Sequence, residues 1–171
     1  MVLLFQYLSS MSGKTLYTIF LTLLSISLFS QIQVFDKFET FEKQVLIKQN
    51  DTAYLFNFWA TWCKPCVEEL PYLVSLAHQY KKDKTKIIFV SLDSKKDSGK
   101  LESFVQKNLF GQTIIQLTDH KYNNWIDRVH HSWSGSIPAS LFKKEGISEF
   151  HEKEFYGYDD VLMQWVTFLK T

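Results

Sequence analysis

The chain has 171 residues, 46% hydrophobic and 22% charged, the balance of one ordinary globular domain rather than a disordered or repeat protein. Its formal net charge is +1, and the residues after Lys14 are neutral in sum, so no basic face for nucleic acid is implied. The cysteine count is two, Cys63 and Cys66, which rules out a structural disulfide framework.

No residue between Lys14 and Asp36 is charged, and Leu16 to Phe29 reads LYTIFLTLLSISLF. A short lysine-bearing start followed by such a run predicts that residues 1–30 are a secretory signal peptide, cut after Ser27 or Ser30. The alternatives are an N-terminal membrane anchor and a buried helix. The run is shorter than the roughly 20 residues of a spanning helix and is interrupted by Thr22, Ser25 and Ser27.

Residues 31–171 show no repeat or linker and are expected to form one domain. Phe35 to Gln49 carries apolar residues at 35, 38, 41, 45 and 46, a helical spacing. Ala53 to Trp59 (AYLFNFW) reads as a buried central strand, followed by a helix over Val67 to Tyr80. Lys86 to Leu92 is a second buried strand, Leu101 to Leu109 a helix, Thr113 to Leu117 a strand and Trp125 to Val129 a helical turn. Ala139 to Phe142 and Ile147 to Phe150 suggest a hairpin, and Val161 to Leu169 a closing helix. This alternation predicts an α/β sheet covered on both faces, with chemistry at the carboxyl ends of its central strands.

Cys63 follows such a strand and precedes a helix, where free backbone N–H groups and the helix dipole favour a thiolate. Lys64 adds a nearby positive charge. Pro65 suits a first helical turn, where a missing N–H matters little. Cys66, one turn on, lies on nearly the same helix face and is placed to attack a mixed disulfide formed at Cys63. A zinc site remains the alternative, but zinc needs four ligands and the five histidines are scattered. His130 and His131 are adjacent and would diverge on any regular element. Haem attachment is excluded because Val67, not histidine, follows Cys66.

The segment Asn57 to Pro71, NFWATWCKPCVEELP, closely resembles the active-site segment of the TlpA/ResA-like thiol-disulfide oxidoreductases, a branch of the thioredoxin superfamily. The resemblance runs from about Phe35 to the C-terminus and is strongest around the cysteines. It implies a thioredoxin-like fold, a central mixed sheet flanked by helices. The long stretch from Asp93 to Pro138 corresponds to that branch's extra strand-helix insertion. It also implies that Cys63 is the nucleophile and Cys66 the resolving thiol, that Glu69 of the C-x-x-C-x-x-E pattern is a base for Cys66, and that Ile137-Pro138 is the cis pair facing the cysteines. Asn57 stands where plain thioredoxins carry a buried aspartate, and an amide cannot take a proton. Gly157 matches the glycine before the last helix.

On this resemblance the chain is expected to be an exported protein of the periplasm or cell envelope. It would reduce protein disulfides with no cofactor beyond the Cys63–Cys66 disulfide, without a metal, and fed by a membrane or envelope thiol donor. A thiol oxidant or isomerase with the same residues, and a non-catalytic thioredoxin-like binding module, are the alternatives. A peroxidase is less favoured, because peroxide-reducing relatives place a lone cysteine in a different setting. Trp62, Lys64, Pro65, Ile137 and Pro138 are the expected partner-binding residues. Trp59 is expected to pack, as are Trp125, His130, His131 and Trp133, although these four would also suit a groove. The acidic run Glu149 to Glu154 fits an edge strand.

Overall fold

The computed structural model of the chain describes residues 32–47, 50–81 and 84–171. The expected signal peptide or anchor, residues 1–30, lies outside the described residues. Six strands form one mixed sheet. They are β1 (Gln33–Phe35), β2 (Ala53–Trp59), β3 (Thr85–Ser91), β4 (Thr113–Leu117), β5 (Ala139–Lys144) and β6 (Ile147–His151), in spatial order β1-β4-β3-β2-β5-β6. The first four are mutually parallel, β5 runs antiparallel to β2, and β6 runs antiparallel to β5 and so in the sense of the first four. The inserted strand is thus built into the sheet, with β4 lying between β3 and β1.

Among the described residues five α-helices accompany the sheet: α1 (Phe38–Phe41), α2 (Lys64–Gln79), α3 (Ser98–Asn108), α4 (Ile126–Val129) and α5 (Tyr158–Leu169). Strand β2 is buried along its whole length, so its alternating side chains supply two cores. Leu55 and Trp59 pack with α2, α3 and α5, against Leu73, Val105 and Trp165. Tyr54, Phe56 and Phe58 face the other way, with Phe38 and Phe41 of α1 and Val129 of α4. Phe142 on β5 joins the first core, its ring 5.2 Å from Trp165 and 5.7 Å from Phe168.

The first element differs from expectation. Phe35 ends the edge strand β1, and the helix begins only at Phe38. Of the three β1 residues only Phe35 is buried, too short a strand to display a period of two. Its ring sits 5.7 Å from that of Phe41, which is why it fitted the helical spacing. After Phe41 the helix widens into a π-helical turn, Glu42–Leu46, with Ile47 as its C-cap.

Candidate active site

The reactive end of the molecule is the carboxyl end of β2. Cys63 has extended backbone angles (φ −88°, ψ 102°) and caps α2, its Sγ accepting from the Cys66 N–H at 3.3 Å. Lys64 and Pro65 open the helix, where Pro65 forfeits no hydrogen bond. Cys63 and Cys66 form a disulfide. Cys63 keeps 6% of its surface exposed and Cys66 none, so an incoming group meets Cys63 first. Because α2 runs for 16 residues, its amino end carries a full helix dipole directed at Cys63. The Lys64 side chain points into solvent and pairs with Glu68 at 3.6 Å.

The Ile137-Pro138 peptide bond is cis, and the Ile137 carbonyl oxygen lies 3.7 Å from Cys63 Sγ. Trp62 is 62% exposed beside them, whereas Trp59 is fully buried against Phe104. Between Trp62 and Ile137 opens an apolar cavity of about 130 Å³, walled also by Tyr122, Trp125, Ile126 and Trp133. Trp125 and Trp133 therefore both pack and line a groove. His130 and His131 do not diverge: their rings lie 4.4 Å apart, because they follow the end of α4 rather than sit on a regular element. Among the described residues no group of three or more His, Cys, Asp or Glu is arranged to hold a metal ion.

Glu69 is fully buried one helical turn beyond Cys66, while its neighbour Glu68 is exposed. Its Oε1 accepts from Asn57 Nδ2 at 2.7 Å and its Oε2 from the Phe155 backbone N–H at 2.8 Å. Burial pushes its pKa up to about 7, against those two hydrogen bonds, which favour the carboxylate; the charges of Glu154 and Asp160 raise it further. Once the disulfide is reduced, a carboxyl of that pKa one helical turn from Cys66 is suited to proton transfer.

A family model for the AhpC/TSA family matches residues 33–142. The chain belongs to that family. It is 36% identical over 92 residues to the thiol-disulfide oxidoreductase ResA of Geobacillus kaustophilus (strain HTA426), covering 53% of this chain. The chain spans 48% of that relative's length. Among solved structures it is similar to StoA from Bacillus subtilis, with a TM-score of 0.55 at 22% identity over 71% of this chain and 86% of that one. It is also similar to a secreted Mycobacterium tuberculosis disulfide oxidoreductase homologous to E. coli DsbE, with a TM-score of 0.51 at 22% identity, covering 68% and 80%. The fold of this AhpC/TSA family member is thioredoxin-like, as the NFWATWCKPCVEELP segment implied.

Two carboxylates missed in the sequence hold the rims of the site. Asp93, buried just after β3, accepts from the Thr61 N–H at 3.0 Å, the Thr61 hydroxyl at 2.6 Å and the Ser91 hydroxyl at 2.8 Å. It thereby fixes the loop that delivers Cys63. Gln116 of β4 donates to the carbonyls of Asp93 and Ser94, so the inserted strand supports the same loop. On the opposite rim Glu152 accepts from the backbone N–H groups of Ser134 and Ser136, each at 3.0 Å, and from the Ser134 hydroxyl. Its partial burial raises its pKa, but these hydrogen bonds win and hold it below the ordinary carboxylate value. Gly135, at φ 97°, supplies the left-handed turn that aims both N–H groups at Glu152.

Asp93→Ala is expected to destabilise the oxidised protein by about 2–4 kcal/mol, because three buried or half-buried donors lose their acceptor together. Urea unfolding of both proteins at neutral pH measures it. The variant should also form its disulfide more slowly after reduction, since the Thr61 loop is no longer held.

Proposed function

We propose that this chain is an exported thiol-disulfide oxidoreductase that reduces disulfides in partner proteins. The observation that carries the reading is the placement of the Cys63–Cys66 disulfide at the amino end of α2, with Cys63 against the Ile137 carbonyl and Glu69 buried behind Cys66. In the reduced protein the Cys63 thiolate attacks a sulfur of the partner's disulfide, forming a mixed disulfide and releasing the first partner thiolate. Cys66 then attacks Cys63 Sγ. Its proton passes to Glu69, the Cys63–Cys66 bond forms, and the second partner sulfur leaves as a thiolate that takes a proton from water. The two enzyme thiols become a disulfide as the partner's disulfide becomes two thiols.

An extended partner segment would pair with the backbone at Ile137, as an added strand does, and set an apolar side chain in the cavity beside Trp62. Lys64, Pro65 and Pro138 border that contact. No cofactor is needed beyond the disulfide. A membrane or envelope thiol protein would return it to the reduced state, with residues 1–30 serving as a signal peptide or anchor that places the domain in the periplasm or cell envelope. No helix among the described residues is long and apolar enough to cross a membrane.

The deciding experiment is the reduction potential of the Cys63–Cys66 pair, measured by equilibrating the protein against defined thiol buffers. A value near or below about −250 mV is expected of a reductase that must be fed electrons. A value of about −120 to −180 mV overturns the direction and makes the same site an oxidant or isomerase. The absence of any reversible disulfide would leave a binding module.

A further inference from the structure

Asn57 stands at the centre of the buried polar group behind the disulfide, and half of its amide is unexplained. Its Nδ2 makes two hydrogen bonds, to Glu69 Oε1 at 2.7 Å and to Ser140 Oγ on β5 at 3.1 Å. Its Oδ1 is equally buried and has no hydrogen-bond partner. A buried amide oxygen left unpaired costs about 1–3 kcal/mol, while the same side chain spends both its donors on one side.

The arrangement suits an ionised Glu69, since a carboxylate only accepts. A protonated Glu69 needs the opposite partner. Oε2 faces the Phe155 N–H, a donor fixed in the backbone, so a proton is best carried on Oε1, toward Asn57. With the amide turned by half a rotation about its last bond, Oδ1 would replace Nδ2 and accept from that carboxyl. The Ser140 hydroxyl, able to donate as well as accept, would then donate to the same oxygen. The unpaired oxygen of one state thus becomes a doubly bonded acceptor in the other, and Nδ2 takes the buried position that Oδ1 leaves.

We propose that Asn57 is the positioning residue for Glu69, turning its amide with each proton that Glu69 gains or loses so that the carboxyl keeps its place in both states. This rests on the reading of Glu69 as the proton acceptor of Cys66. It also gives a reason for an amide at this position. An aspartate there would set a second carboxylate against Glu69, whereas asparagine answers either protonation state without titrating. The charged groups around Glu69 are few. Glu154 and Asp160 both oppose its ionisation, Asp160 is paired with Lys153 at 3.4 Å, and His151 packs against the Phe155 ring.

The test combines two measurements between about pH 5 and pH 9, a range that spans the ionisation of a carboxyl raised toward neutrality. In the wild-type protein, NMR of the Asn57 side-chain NH2 resonances is expected to show a shift with the same midpoint as the infrared carbonyl band of protonated Glu69. That band is assigned by its loss in Glu69→Gln. In Asn57→Leu both protonation states of Glu69 lose their partner, so its midpoint is expected to move by less than about one pH unit, whereas an amide fixed as a donor to the carboxylate would on removal raise it tenfold or more in proton affinity.

Asn57 resonances that stay constant through the Glu69 titration overturn the proposal, and the wild-type measurement decides this even if the leucine variant fails to fold. A midpoint raised tenfold or more in proton affinity in a folded Asn57→Leu overturns it equally, since the amide would then serve the carboxylate alone. A turnover profile unaltered by Glu69→Gln removes instead the role of Glu69 as base, while the wild-type NMR and infrared midpoints, which do not depend on turnover, still decide the amide switch.

Discussion

Cys63→Ser is expected to abolish disulfide exchange with protein substrates, whereas Cys66→Ser is expected to stall it after the first step. The asymmetry follows from burial and geometry. Cys63 is the sulfur that retains exposure, at the helix terminus and against Ile137, while Cys66 has no route to a partner except through Cys63. With serine at 66, attack by Cys63 still forms the mixed disulfide, and no second thiol is present to break it. Incubating each variant with a disulfide-bearing partner protein, and separating the products without reductant, should show a covalent adduct with Cys66→Ser and none with Cys63→Ser. An adduct formed by Cys63→Ser would reverse the assignment of the two sulfurs.

Glu69→Gln is expected to make the protein slower and, at alkaline pH, more stable. A carboxyl raised from 4.5 to about 7 prefers the protonated form in the folded state. Its contribution to stability is therefore fully present below about pH 4.5 and is lost as the pH rises toward 7, amounting to about 3 kcal/mol. Above that range the folded protein carries a buried negative charge that glutamine does not have. Urea unfolding of the oxidised protein should show wild-type stability falling between about pH 4.5 and pH 7, with Glu69→Gln flatter across the window and stronger by about 1–3 kcal/mol near pH 8. Resolution of a mixed disulfide should slow by a factor on the order of 10² through loss of the base. A variant that is weaker than wild type at alkaline pH would mean that the hydrogen bonds to Glu69 outweigh the burial of its charge.

How much of this site is legible in the sequence depends on how far apart its parts lie along the chain. Cys63 and Cys66 stand at the start of one helix after a strongly apolar strand, so spacing places them, whereas Glu69, one turn further on, is singled out by the C-x-x-C-x-x-E pattern of the resemblance. Ile137 and Pro138 are distant and became visible only through the resemblance. Asp93, Gln116 and Glu152 remained invisible because nothing local sets them apart. VSLDS reads as the end of a strand, and Glu152 as one acid in an acidic run. Their roles arise from tertiary approach, Asp93 to a loop 32 residues earlier and Glu152 to one 16 to 18 residues earlier. Strand β1 escaped notice for a different reason: hydrophobic periodicity needs more than three residues to declare itself. The burial of Glu69 also had to await the structure, since helix position fixes its face but not what covers that face.

The five tryptophans are distributed unevenly with respect to the disulfide. Trp59, Trp125, Trp133 and Trp165 are buried, and Trp62 alone is open to water, next to Cys63. The protein therefore contains its own optical probe. Emission from the buried indoles reports folding, while an exposed indole beside a disulfide is quenched by electron transfer to the sulfurs and brightens when they are reduced. Trp62→Phe would separate the exposed reporter from the buried ones, leaving Trp59, which shares a core with Cys63 and Cys66, as the remaining indole near the sulfurs.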